Sequence, residues 1–152
     1  MGRPTSPELG VVVLLTALAA GLRFATLGHQ SFDFDEAYGA GFVLNGSLGH
    51  LFSQLPRTES SPPLHYVLAW LWSKPFGRGE WGLRSLSALA GTALVPVTWA
   101  AGRELVSRRG AVIAAAFVAV NPFLLWYGQE ARTYALVSLL AGLSFWAFAR
   151  VL

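Results

Sequence analysis

The sequence contains no cysteine and one methionine, and only 12% of its 152 residues are charged. Without cysteine there is no disulfide framework, no thiolate-ligated zinc and no thiol nucleophile. Typical soluble domains carry roughly 25% charged residues, so the shortage of charge argues against a water-soluble surface. There is no internal repeat, no low-complexity tract, and no HxH or HExxH spacing around His29, His50 or His65. Disorder and coiled-coil architectures are excluded on the same composition. What the chain does have is 54% hydrophobic residues and a mean hydropathy of +0.50. The net charge of +3 and pI near 9.8 rest on few ionisable groups, and the basic residues lie scattered between apolar stretches rather than in a patch for nucleic acid. The composition describes a membrane protein. Its last residue, Leu152, lies inside an apolar run, so 1–152 reads as a truncated amino-terminal transmembrane module.

Four apolar segments, at about 9–27, 83–101, 111–127 and 134–152, approach the roughly 20 residues needed to cross a bilayer. A fifth, LHYVLAWLWS at 64–73, is too short to cross and is rich in aromatics, which suits a helix lying at the interface. With the amino terminus cytoplasmic, the connection GRELVSRRG at 102–110 places three arginines on the cytoplasmic side. Arg3, Arg103, Arg108, Arg109 and Arg150 against Glu8 and Glu104 leave that side at +3 and the opposite side neutral, but five basic residues against six give no margin by the positive-inside count, so the clustering at 102–110 carries the orientation. The expected protein is all-α, polytopic and placed in the cell membrane, with the loop 28–82 extracytoplasmic. A cleavable signal peptide ending near the ALA at 17–19 is the alternative for the first segment; the uninterrupted apolar run to Leu27 favours a retained helix.

The candidate chemistry sits around the external helix ends. A short helix is expected after GHQSF, with Asp33 or Asp35 capping it and Ala37, Tyr38, Ala40, Phe42, Val43 and Leu44 forming its apolar side. Asp35 and Glu36 are adjacent carboxylates at a membrane surface, either a helix cap with a wetted charge or a general base for a hydroxyl nucleophile. Pro62 and Pro63 stiffen the entry to the 64–76 segment. His65 follows them as a hydrogen-bonding or substrate-binding group. Arg23, Arg84 and Arg132 stand near external helix ends, where arginines either snorkel or grip a phosphorylated lipid in bidentate fashion. Glu130 and Arg132, two residues apart, would address different partners. A cation site built from Asp33, Asp35 or Glu36 alone is conceivable but not established by spacing.

Four blocks in order, RFATLGHQSFDFDEAYGA, SPPLHYVLAW, EWGLRSLSALAG and NPFLLWYGQEARTYAL, resemble the amino-terminal module of membrane glycosyltransferases related to protein O-mannosyltransferases and aminoarabinose lipid A transferases. The resemblance covers nearly the whole chain from about Leu9. It implies a GT-C fold, with interfacial helices in the first external loop and an extracytoplasmic active site. It implies Asp35 as catalytic base with Glu36 as companion, Pro62 and Pro63 as a structural turn, and Arg84 as the arginine opening the next span. Gln129, Glu130, Arg132 and Tyr134 correspond to the external motif after the third span. The implied donor is a polyprenyl-phosphate-linked sugar, with mannose the leading hexose. The implied acceptor is a protein, glycolipid or polysaccharide hydroxyl. The aminoarabinose transferases have glutamate and lysine before their PP pair, where this chain has Ser60 and Ser61, with Glu59 a shifted substitute. The O-mannosyltransferases have histidine where this chain has Ser61.

On that reading the hydroxyl attacks the anomeric carbon with inversion, Asp35 takes its proton, and Arg84 or Arg132 stabilises the departing lipid phosphate. An arginine clamp in place of a metal leads to the expectation of no obligatory cation. The competing readings are a transporter or channel fragment and an inactive membrane scaffold. Nearly uncharged span interiors, with polar groups gathered at one interface, favour interfacial chemistry over a transport path.

Overall fold

The computed structural model describes residues 6–44, 46–58 and 62–151. Arg3, Glu59, Ser60, Ser61 and Leu152 lie outside the described residues, as do the side chains of Phe42, Val43, Leu44 and Arg57. All regular structure among the described residues is helical: α1 (Ser6–Phe24), α2 (Phe34–Leu44), α3 (Leu48–Thr58), α4 (Leu64–Phe76), α5 (Glu80–Leu105), α6 (Arg108–Val120), α7 (Pro122–Tyr127) and α8 (Tyr134–Ala149). Among them α1 and α5 are long and apolar enough to cross a membrane; α8 is a shorter apolar helix. At 1.5 Å per residue the 26 residues of α5 extend about 39 Å, more than the roughly 30 Å hydrocarbon core. The 13 residues of α4 extend only about 20 Å.

α5 is the central helix, packing against α1, α4, α6, α7 and α8. Its buried positions include Ala88, Gly91, Thr92 and Val95, and such small side chains let neighbouring backbones approach closely. Val95 forms one core with Ala19 of α1 and Ala115 and Ala119 of α6. α1 and α5 run antiparallel. Glu8, in the first turn of α1, lies 3.3 Å from Arg103 in the last turn of α5, and the Trp99 indole N–H donates to the same carboxylate at 3.0 Å. Arg108 and Arg109 line a cavity with Glu8 at this end of the bundle.

The apolar stretch 111–127 is not one continuous helix. Pro122 has no N–H and pushes the preceding residue out of the helical region, so Asn121 is extended with ψ near 122°. Asn121 ends α6 and also caps α7, its side-chain oxygen accepting from the Leu124 N–H at 3.1 Å. Ser107 opens α6 by accepting from the Gly110 N–H.

The loop between α1 and α5 folds into α2, α3 and α4. α3 has no counterpart among the sequence expectations, although Leu48, Leu51, Phe52 and Leu55 fall at helical spacing. Leu51 and Leu55 are buried against Tyr66 of α4. Ala40 of α2, Ala69 of α4, Leu83 of α5 and Ala131 make a second small core. α4 closes on Gly77, the one described residue with positive φ, and the chain turns directly into α5. That turn delivers Arg84 to the end of the bundle where α1 finishes.

Candidate active site

The site is assembled on the start of α2. Asp33 accepts from the Glu36 N–H at 2.7 Å, and Glu36 accepts in return from the Asp33 N–H at 3.2 Å. This reciprocal capping box satisfies two amino-terminal donors of the helix. Adjacent residues on a helix point about 100° apart, so Asp35 and Glu36 cannot share an environment. Glu36 turns inward and is buried; Asp35 turns outward, its side chain 66% exposed.

Glu36 ties three parts of the chain together. Its carboxylate accepts from Arg84 Nε at 2.9 Å and Nη2 at 2.5 Å, and from the Ala131 N–H at 2.7 Å. Burial alone pushes a carboxyl upward, but the hydrogen bonds from Arg84, Ala131 and Asp33 outweigh it and hold Glu36 below the usual glutamate range. Arg84 completes the joint. Its Nη1 donates to the carbonyls of Leu27 at 3.0 Å and Gln30 at 2.7 Å, and Nη2 to that of Ser31 at 3.1 Å. A guanidinium has five N–H donors, and these partners are Glu36 twice and three carbonyls.

Arg23 is likewise turned into the protein and is 0% exposed. Breaking the helix at Asn121 strands the last carbonyls of α6; Arg23 donates to those of Ala119 and Val118, both at 3.3 Å, and to its own Ala19 at 3.1 Å. Room for it comes from two glycines. A Cβ on Gly91 would stand 2.8 Å from Arg23 Nε, and one on Gly128 would stand 3.0 Å away. The expected convergence of three arginines on one phosphate therefore takes a different form, with Arg23 and Arg84 engaged by carbonyls and Glu36.

Residues 128–133 form a bent connection between α7 and α8 rather than a helix. Gln129 donates to the carbonyls of Leu22 and Arg23 and to the Thr26 hydroxyl, at 2.9, 3.2 and 2.9 Å, and so covers the end of α1. Arg132 meets Asp35. Its Nη1 donates to the Asp35 carbonyl at 3.2 Å, and its Nη2 lies 3.7 Å from the Asp35 carboxylate. Its guanidinium also lies over the ring of Tyr134, which opens α8 and meets Tyr127 edge-on at 4.5 Å. Glu130 and Trp126 help wall a cavity of about 460 Å3 that also reaches Asp33, Glu36, His29 and Gln129. Burial raises the Glu130 carboxyl, with further push from Asp33 and Glu36, against the opposing Trp126 hydrogen bond and Arg132 charge.

A family model described as dolichyl-phosphate-mannose-protein mannosyltransferase matches residues 60–152, more than half of the chain. The chain belongs to this family. No curated protein and no solved structure matches it. The mannosyltransferase match includes Pro62, Pro63, His65, Arg84, Gln129, Glu130, Arg132 and Tyr134, and stops short of Arg23, Asp35 and Glu36. The fold joins the two sets directly, because Glu36 bonds Arg84 and Ala131 while Asp35 faces Arg132.

Three positions within the matched segment, His65, Pro62 and Pro63, are more buried or more ordinary than the sequence expectation. His65 is only 4% exposed, packed edge-on against Tyr66, with no partner for Nδ1. Burial pushes it down to about 4, aided by the Arg132 charge and opposed by a hydrogen bond to the Ala131 backbone. It is neutral at physiological pH and brings no charge to a phosphate. Pro62 and Pro63 are exposed, and the Pro63 carbonyl starts α4 by accepting from the Val67 N–H at 3.0 Å. Among the described residues no group of three or more His, Cys, Asp or Glu is placed to hold a metal ion.

Proposed function

We propose that this chain is the amino-terminal module of a GT-C glycosyltransferase that moves a hexose, mannose first among candidates, from a polyprenyl phosphate to an acceptor hydroxyl. The observation that carries the reading is the exposed Asp35 carboxylate beside the Arg132 guanidinium, on a helix start anchored by Glu36. In this mechanism Asp35 accepts the proton of the acceptor hydroxyl. The hydroxyl oxygen bonds to the anomeric carbon from the face opposite the phosphate. The carbon–oxygen bond to phosphate breaks, its electron pair leaves with the lipid phosphate, and the configuration inverts. Arg132 balances the charge developing on that phosphate. Glu36, Arg84, Gln129 and Arg23 are positioning residues, since their polar atoms hold the α2 start and the 128–133 connection to the bundle. His65 packs beneath the same connection as a neutral side chain. No obligatory divalent cation is part of the scheme.

The module is placed in the cell membrane, with spans at about 9–27, 83–101, 111–127 and 134–152 and the loop 28–82 extracytoplasmic. The antiparallel α1 and α5, with Glu8 against Arg103, support a common side for the amino terminus and the 102–110 connection. The donor is thus met at the outer face, and the acceptor is a protein, glycolipid or polysaccharide hydroxyl. The deciding experiment is Asp35→Asn in the full-length protein, assayed for transfer from polyprenyl-phosphate mannose in proteoliposomes. Transfer is expected to fall by at least about 100-fold, the lower range for losing a positioned general base. Transfer at the wild-type rate would remove Asp35 from the mechanism.

A further inference from the structure

The first turn of α6 carries Arg108 and Arg109 and no acidic residue. Cations at a helix amino terminus oppose the helix dipole, so this pair weakens α6 unless an anion lies against it. Both residues are exposed, and both line a cavity of about 570 Å3 between the starts of α1 and α6.

The cavity changes character along the helix axes. α1 supplies Glu8 and Val11, and α6 supplies Val112 and Ile113 beside the two arginines. Val112 and Ile113 follow Arg108 and Arg109 at i+4, on the same helix faces and about 6 Å deeper. The charged rim thus opens onto apolar walls, where Val11 and Ile113 are exposed. Glu8 stands at the same wall. Its Oε1 accepts from the Trp99 indole at 3.0 Å and lies 3.3 Å from Arg103. Its Oε2 has no hydrogen-bond donor among the described residues, although the side chain is only 9% exposed. Buried carboxylate oxygens are normally paired, so the site lacks a donor as well as an anion.

We propose that this cavity binds an anionic phospholipid with a hydroxylated headgroup. The phosphate lies between Arg108 and Arg109, a headgroup hydroxyl donates to Glu8, and one acyl chain runs along Val11, Val112 and Ile113. The inference takes the membrane placement of α1 and the cytoplasmic 102–110 connection from the reading above, and nothing from the sugar chemistry. Basic pockets between spans on the cytoplasmic side suit anionic headgroups, and arginine grips phosphate through paired N–H groups. An ethanolamine headgroup fits less well, because its ammonium would stand among Arg103, Arg108 and Arg109. Soluble phosphate would leave the apolar walls unused.

The test uses the full-length protein in phosphatidylcholine vesicles doped with phosphatidylglycerol that carries a diazirine in one acyl chain. After photolysis, adducts are mapped by mass spectrometry and are expected on Val11, Val112 and Ile113. The same diazirine on phosphatidylcholine or phosphatidylethanolamine should label them at least about fivefold less. Arg109→Gln should raise the phosphatidylglycerol fraction needed for half-maximal labelling about fivefold, and the Arg108→Gln, Arg109→Gln double variant about 25-fold. Ile113→Trp keeps both arginines, fills the groove and should lose the labelling. Phosphatidylmethanol, with the same charge and no headgroup hydroxyl, should compete roughly tenfold less well than phosphatidylglycerol. Arg150 follows α8 outside the cavity, and Arg150→Gln should behave as wild type. Equal labelling by all three lipids, equal competition by phosphatidylmethanol, a loss in Arg150→Gln as large as in Arg109→Gln, or displacement by soluble glycerol phosphate overturns the proposal. If the double variant fails to fold, Arg109→Gln and Ile113→Trp decide. Asp35→Asn, which tests the transferase reading, should leave the labelling unchanged, so either reading can fail alone.

Discussion

Replacing His65 with glutamine removes a titrating group and keeps a side-chain N–H for the Ala131 backbone. In the folded protein the imidazole is pushed from 6.5 down to about 4, mainly by burial. In the unfolded chain it titrates near its ordinary value, so between those limits the unfolded state binds the extra proton. Stability therefore rises with pH across the window from about 4 to 6.5. A gap of about 2.5 pKa units corresponds to about 3 kcal/mol lost once the pH is below both values, and about 2 kcal/mol is already lost at pH 5. Reversible unfolding of wild-type and His65→Gln protein between pH 8 and pH 5 should show this as a difference in slope. The variant is less stable than wild type at pH 8, because it packs less well, and the gap closes by about 2 kcal/mol at pH 5. A histidine C–H resonance at this position titrating near 4 would give the same conclusion directly. Parallel pH profiles for the two proteins, or an imidazole titrating near 6.5, would refute the claim that His65 is buried and neutral beneath the 128–133 connection.

Glu36→Gln leaves the Arg84 guanidinium buried without its counter-charge, and a loss of about 3–5 kcal/mol is expected in a denaturation assay. Asp35→Asn should leave stability within about 0.5 kcal/mol, since that side chain is exposed, so the adjacent pair separates by assay. Glu130 has its folded pKa raised, so its contribution is favourable below about 4.5 and is lost as pH rises through the folded value. Glu130→Gln should consequently melt higher than wild type at pH 7, with the difference fading toward pH 4.5; a lower melting temperature at pH 7 would contradict the raised carboxyl. Gly91→Ala places a methyl 2.8 Å from Arg23 Nε and should cost about 1–3 kcal/mol, measured by thermal unfolding, unless Arg23 withdraws from the α6 carbonyls.

The apolar segments, the cap at Asp33 and the helix over 64–76 were readable because each depends on neighbours in sequence. The interruption at Asn121 was also a local signal, because proline constrains the residue before it, but an apolar run of 17 residues masked it. α3 was legible from the spacing of Leu48, Leu51 and Leu55, a pattern that the polar residues between them obscured. The roles of the arginines were not legible. Arg23, Arg84 and Arg132 look alike in sequence, each beside a helix end, and only the carbonyls freed by the α6 break and the inward turn of Glu36 distinguish them.

Composition and local pattern by themselves determined that this chain is helical, apolar and poor in charge, with its few carboxylates and arginines placed at helix ends. Those properties follow from hydrophobic periodicity, capping and proline geometry, which act over a few residues. The tertiary structure alone decided which of two adjacent carboxylates faces outward and which arginine stands beside it. The partners of Glu36 lie 48 and 95 residues away, and no local rule reaches that far. Burial then divides identical side chains into those that hold the fold together and those left open at the surface.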